Sequence, residues 1–159
     1  MPEMGGIVLA FDYGMRFMGV ALGESRTGLV RPIDSSECRS RQSRWAFIEQ
    51  IIRDWSPQHL LVGLALGSEG EEQLTTRQCR NFAKDLQRHT HLPVTLIDER
   101  YTSLEADRRL REKGVSQTER RHQEHAVAAA LLIEDYFQRS LEERRHLITL
   151  VAHDSPAIL

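Results

Sequence analysis

Five consecutive apolar residues, Ile7-Val8-Leu9-Ala10-Phe11, run straight into Asp12. An unbroken apolar run of this length has no solvent-facing side, so it predicts a strand buried on both faces, in the interior of a sheet. A carboxylate at the end of such a strand is costly to bury unpaired. It requires a metal, a cation or backbone donors; the plainer alternative is a turn-capping Asp ahead of Gly14. The apolar pattern resumes at residues 18–22, and residues 28–33 follow as a third strand. Connections this short imply hairpins and antiparallel pairing.

The period then changes. Trp45, Ile48, Ile51, Ile52 and Trp55 recur at helical spacing until Ser56-Pro57 stops them. Residues 60–64 read as a short buried strand, Cys79, Phe82, Ala83 and Leu86 as one side of a second helix, and residues 94–97 as a further strand. Thr102-Ser103-Leu104-Glu105 has the form of a capping box, opening a helix that Gly114 closes. A last helix, from about residue 121 to 141, has an Ala- and Leu-rich middle suited to lying flat on a sheet. Crossovers through helices make the later strands parallel. The expected fold class is therefore α/β: a mixed sheet of three antiparallel hairpin strands and then two parallel strands, with helices on both faces.

At 159 residues the chain has room for one domain and not comfortably for two. That domain is expected over residues 1–144, with 145–159 a loose C-terminal tail in which 147–151 could add a strand. Charged residues at 28% and a net charge of −2 exclude a disordered polyelectrolyte. No apolar run approaches the roughly 20 residues of a membrane span, and the first residues lack the pattern of a secretory signal. Two cysteines in no metal-ligand spacing point to a reducing, cytoplasmic setting. With so little net charge, any nucleic-acid binding must come from local patches.

A second acidic segment, Asp98-Glu99-Arg100, follows the strand at 94–97. Alone it reads as solvated loop. Asp12 and Glu99, however, follow strands expected to be parallel, whose carboxyl ends share one edge of the sheet, where ligand sites gather. Converging carboxylates repel, and a divalent cation relieves that repulsion; oxygen ligands suit Mg2+ or Mn2+. A third contributor should open the last helix, where the sequence is Arg121-His122-Gln123-Glu124-His125. At about 100° per residue, Ala129, Leu132 and Tyr136 fall within about 40° of His125, and His122 lies about 60° away, so both histidines share the stripe facing the sheet. Glu124 points roughly 100° off. His125 thus looks into the site as ligand or proton carrier, or is simply a hydrogen-bonded, half-buried histidine. Glu124 is a further metal-ligand candidate, or a solvated acid at a helix start.

Leu9-Ala10-Phe11-Asp12-Tyr13-Gly14 with Gly19-Val20-Ala21, Leu61-Val62-Gly63-Leu64 with Gly70, Asp98-Glu99-Arg100 with Thr102 and Glu105-Ala106, and the apolar helix over 128–137 together resemble the YqgF family. That family is RuvC-like with an RNase H-like fold, and is described as Holliday-junction resolvases or pre-16S ribosomal RNA nucleases. The resemblance covers about residues 7–138. It implies metal-dependent cleavage of nucleic-acid phosphodiesters, with Asp12 and Glu99 as the first and second acids. The family's third acid, an Asp, aligns with His125; Ala65, Glu69 and Phe17 also depart from its pattern. Structured RNA and DNA junctions are the substrates implied, pre-16S rRNA 5′-end maturation being the leading reading and junction resolution in recombination and repair the alternative. A junction resolvase needs a homodimer, whereas an RNA-trimming enzyme can act as a monomer.

Between residues 100 and 121 seven basic residues (Arg100, Arg108, Arg109, Arg111, Lys113, Arg120, Arg121) outnumber four acids. With Arg16 they are candidates for phosphate contacts, against the alternative of a mixed-charge solvated helix. Arg39, Arg41 and Arg44 form a smaller cluster. Two rival functions remain in view. A sugar-kinase or actin-like ATPase shares the Asp-x-Gly turn but needs two domains. A catalytically weakened nucleic-acid-binding protein would explain His125 but has no use for converging acids.

Overall fold

The computed structural model describes residues 6–99 and 102–151, apart from the side chains of 102–104, 121 and 122. Its elements run β1 (Ile7–Tyr13), β2 (Phe17–Glu24), β3 (Leu29–Glu37), α1 (Arg41–Trp55), β4 (His59–Leu64), α2 (Leu74–Thr90), β5 (Val94–Asp98), α3 (Thr102–Glu112), α4 (Gln117–Gln138), α5 (Leu141–Arg145) and β6 (Thr149–Leu150). The strands form one sheet in the order β3-β2-β1-β4-β5-β6. The β1–β2 and β2–β3 pairs are antiparallel, and β4 and β5 run parallel to β1, as the sequence pattern requires. The apolar run of β1 sits between β2 and β4, which explains why Leu9, Ala10 and Phe11 are wholly buried.

Alternation along the strands sorts the core into two layers. Leu9 and Phe11 of β1 and Val62 of β4 face α1 and α2, where Ile48, Phe82 and Leu86 meet them. Ala10, Leu61 and Ile97 face Ala129, Leu132 and Ile133 of α4. Each large side chain fully buried this way contributes roughly 1.5–3 kcal/mol. α3 packs on the outer side of α4 through Ala106, Ala128 and Leu131. Helix ends follow local chemistry. Ser40 caps α1 in a reciprocal box with Ser43, and Ser56 closes it at φ 45°. Gly114 takes φ +76° just beyond α3.

Two expectations change. α4 starts four residues earlier than the apolar pattern indicates, because Ser116 accepts the Glu119 N–H and caps it, and it ends before Ser140, which caps α5 in a box with Glu143. Both are Ser-x-x-Glu signals that the apolar period alone does not register. In the C-terminal segment the strand alternative within 147–151 holds and not the loose tail: Thr149–Leu150 pairs antiparallel with β5 as a sixth strand. Residues 152–159 lie outside the described residues.

β6 is tied in by a polar chain at the opposite end of β4 from Asp12. His59 Nε2 lies 2.7 Å from Thr95 Oγ1, which lies 2.7 Å from Thr149 Oγ1. Tyr136 meets the imidazole edge-on, and Arg144 covers the Tyr136 ring at 4.6 Å. Burial, helped by the Arg144 charge, pushes the His59 pKa down to about 4. The folded protein therefore binds fewer protons than the unfolded chain between about pH 6.5 and 4, so stability falls as pH falls through that window, by about 1.4 kcal/mol per pH unit and about 3 kcal/mol in all. Urea unfolding at pH 7 and pH 4.5 should show His59→Gln losing less stability than the unsubstituted protein by about that amount. Equal losses in the two proteins would contradict it.

Candidate active site

The same alternation that points Ala10 toward α4 points Asp12 there, and the parity of β5 does the same for Ile97 and Glu99. β4 runs between these strands, with Val62 opposite Phe11 and Gly63 opposite Ile97. Gly63 thus lies beside the path from one acid to the other. A Cβ at this glycine would collide with the Glu99 carboxyl and press on Leu132. Its absence lets Glu99 reach across β4. The Glu99 N–H donates to Leu64 O at 3.0 Å, which holds the backbone in place one residue past the strand.

The two carboxyl groups share a hydrogen bond. Asp12 is only 6% exposed. Burial raises both pKa values; the charge of Asp12 raises Glu99 further, and the hydrogen bond between them favours a protonated Glu99 donating to an ionised Asp12. This is a desolvated acid pair that shares one proton and carries one negative charge.

α4 brings the third group. Gly19, the cross-strand partner of Asp12, has no side chain, and a Cβ there would strike the backbone of His125 and Ala126. The helix can therefore lie directly on β2 beside Asp12, where the Ala126 N–H donates to Ser35 Oγ at 3.0 Å. His125 Nδ1 stands 2.8 Å from Asp12 Oδ2, and the Phe17 ring stacks on the imidazole at 6.1 Å between centroids. Burial holds the His125 pKa below its ordinary value, against the upward pull of Glu124 and Glu99. The neutral ring then donates Nδ1–H to Asp12, which fixes the carboxylate's orientation.

Asp12, Glu99 and His125 are thus brought together. Glu124 is half-buried and reaches Asp12 and His125 through its charge. Among the described residues no group of three or more His, Cys, Asp or Glu side chains is spaced to hold a metal ion. His125 uses its Nδ1 on Asp12. The two carboxylates fit a hard cation by their chemistry, and the imidazole fits better as their hydrogen-bond partner.

The candidate phosphate contacts divide differently from their sequence. Arg108 pairs with Glu105 and Glu112, Arg109 with Glu105 and Glu134, and Arg111 and Arg120 with Asp107. Four guanidinium groups thus meet four carboxylates. Lys113 is exposed, Arg16 pairs with Glu37 at 3.0 Å, and Arg100 and the side chains of Arg121 and His122 lie outside the described residues. Two glycines quoted above only as parts of motifs have a role that the sequence did not reveal. Gly63 and Gly19 position the acids by what they lack, and their signal was a glycine inside an apolar strand.

Comparison with known proteins gives the chain its family. A relative from Methylobacillus flagellatus named "Putative pre-16S rRNA nuclease" is 37% identical over 141 residues, 86% of this chain and 97% of its own length. A Bordetella petrii protein of the same name is 40% identical over 136 residues, 86% of this chain and 96% of its own. The solved structure of Thermus thermophilus RuvC in complex with a Holliday junction substrate superposes with a TM-score of 0.56 at 14% identity, covering 91% of this chain and 99% of that one. That likeness supports an RNase H-like fold. The family profile described as "RuvX: Holliday junction resolvase" matches residues 6–139, nearly the whole described sheet and its helices, and this chain belongs to that family.

Proposed function

We propose that this chain is a cytoplasmic, metal-assisted nuclease that hydrolyses phosphodiester bonds in structured RNA, with maturation of the pre-16S rRNA 5′ end as its task. The observation that carries this reading is the acid pair: Asp12 and Glu99, from separate strands, share a hydrogen bond in a desolvated site at the carboxyl edge of the sheet. A packed core gains nothing from two such groups. Asp12 and Glu99 would hold Mg2+ or Mn2+, which when bound supplies charge neutralisation and polarises the scissile phosphate. His125 orients Asp12 through its Nδ1–H, and burial favours its neutral form. Phe17 closes one face of that imidazole.

The names of the curated relatives favour RNA, and the family's description and the RuvC complex favour a DNA junction as second substrate. Incubating the protein with a pre-16S rRNA leader and with a four-way DNA junction separates them. Cleavage of the leader alone supports the RNA reading in a monomer, and paired nicks in the junction support a homodimeric resolvase. Binding without cleavage of either supports a weakened nucleic-acid-binding protein.

His125 stands where a third acid would complete the cage, so Mg2+, which demands near-ideal oxygen coordination, should be held weakly. Half-maximal activation is expected at lower Mn2+ than Mg2+, because Mn2+ tolerates a nearby nitrogen better. His125→Asp should lower the Mg2+ requirement several-fold. A titration in which Mg2+ acts as well as Mn2+ at low concentration, with no response to the substitution, would contradict this.

A further inference from the structure

Tyr13 follows Asp12 directly and points to the opposite face of the sheet, toward α1 and α2. There it borders a cavity of about 360 Å3 that is also lined by Trp45, Phe82, Arg39, Arg41 and Arg44. Aromatic rings and guanidinium groups thus line one cavity together. Arg44, nearly buried, donates to Gly14 O at 2.8 Å and Met15 O at 3.0 Å and lies over the Tyr13 ring at 4.5 Å, so it fixes the β1–β2 turn to α1. Phe82 stacks against Tyr13 at 4.8 Å. Trp45 is half-buried and is held by His89, with ring centroids 4.0 Å apart.

The charge here is not balanced. Arg16 and Arg39 share Glu37; Arg41 and Arg88 share Asp85; Arg44 binds carbonyls. Five guanidinium groups meet two carboxylates, whereas on α3 and α4 four meet four. Arg39 and Arg41 are mostly exposed, with side chains 82% and 74% accessible, and their pairs at 3.3 and 3.7 Å are weak enough to exchange for a phosphate.

We propose that this cavity is a second nucleic-acid subsite, which takes one unpaired nucleotide with its base against Trp45 and its phosphate on Arg39 and Arg41. The proposal rests on the reading of the chain as a nuclease and names a feature of its substrate: a single-stranded segment next to the bond to be cut. The volume is at the small end of the roughly 300–1,000 Å3 of small-molecule clefts, enough for one nucleotide and too small for a duplex. Aromatic walls stack any unpaired base, while arginines track the backbone. Because consecutive Cα atoms are about 3.8 Å apart, a strand crossing the tip of β1 can touch Tyr13 on one face and Asp12 on the other.

The test uses the full chain carrying Trp55→Phe, so that Trp45 is its sole tryptophan. Single-stranded 12-mers of RNA and DNA are titrated in, with a blunt duplex as control, while cleavage by the unsubstituted protein is followed in parallel. Single strands should quench Trp45 emission and the duplex should not. A weaker response to DNA than to RNA would assign the subsite to RNA, and an equal response to single strands in general. The Arg39→Ala/Arg41→Ala pair should weaken single-strand binding about tenfold and flatten its salt dependence. Asn81→Asp, which adds an acid to the cavity wall, should do the same without touching a guanidinium group. Cleavage with no quenching and no loss in these variants overturns the subsite and leaves the nuclease reading standing. Absence of both cleavage and binding overturns both.

Discussion

Asp12→Asn is expected to abolish cleavage, by at least about 10³-fold, while the protein folds as well as before or better. The loss follows from position: Asp12 is the group bonded to both Glu99 and His125. An amide cannot supply the negative oxygen that a cation needs, and a thousandfold loss corresponds to about 4 kcal/mol of transition-state stabilisation. The stability gain follows from the same geometry. Asn is nearly isosteric, its Oδ1 can accept from His125 Nδ1 and its Nδ2 can donate to Glu99, so both hydrogen bonds survive. The buried charge that pushes the Glu99 pKa up disappears. Replacing the buried charge of Asp12 by a neutral amide removes its desolvation cost and should stabilise the metal-free protein by about 1 kcal/mol, which raises Tm by about 2–4 °C for a chain of this size. Circular dichroism melts in the absence of metal, run beside a cleavage assay, read both halves. Retained cleavage would remove Asp12 from the chemistry. A large drop in Tm would mean the acid is structural, and the nuclease reading would lose its main support.

The opposed signs of these two effects show why part of the site was legible in the sequence. An apolar run ending on Asp12 contradicts the economy of a core, and the contradiction was visible without coordinates. The 100° arithmetic that placed His125 on the sheet side of its helix was equally local, and the imidazole indeed meets Asp12. What sequence could not supply was the lateral arrangement. Asp12 and Glu99 sit on strands that are not neighbours, and their contact depends on Gly63 in the strand between, which by itself reads only as a weak point in a strand. Nor could residue counts anticipate how the arginines are compensated. Arg109 reaches Glu134 and Arg120 reaches Asp107 across the gap between α3 and α4, so arginines that look unpaired along the chain are paired in space. The three arginines that sequence ranked second, Arg39, Arg41 and Arg44, lie where acids are fewer.

Gly63→Ala tests that lateral arrangement directly and should cost about 10²-fold in cleavage. The added methyl would occupy the space of the Glu99 carboxyl. β4 is an interior strand hydrogen-bonded on both sides, so it cannot yield, and the Glu99 side chain must turn away. A displacement of about 1 Å in a catalytic group is worth about that much in rate. Overpacking against Leu132 should also cost about 1–3 kcal/mol of stability, read from urea unfolding. Glu99→Asp in the same chain separates the two consequences. Its shorter side chain relieves the collision, so the double variant should recover stability relative to the sum of the single changes. It should not recover cleavage, because the shortened carboxyl falls short of Asp12. A folded Gly63→Ala protein that cleaves at the original rate would show that the reach of Glu99 across β4 is not what activity depends on, and the acid pair would then be a buried hydrogen bond without a catalytic use.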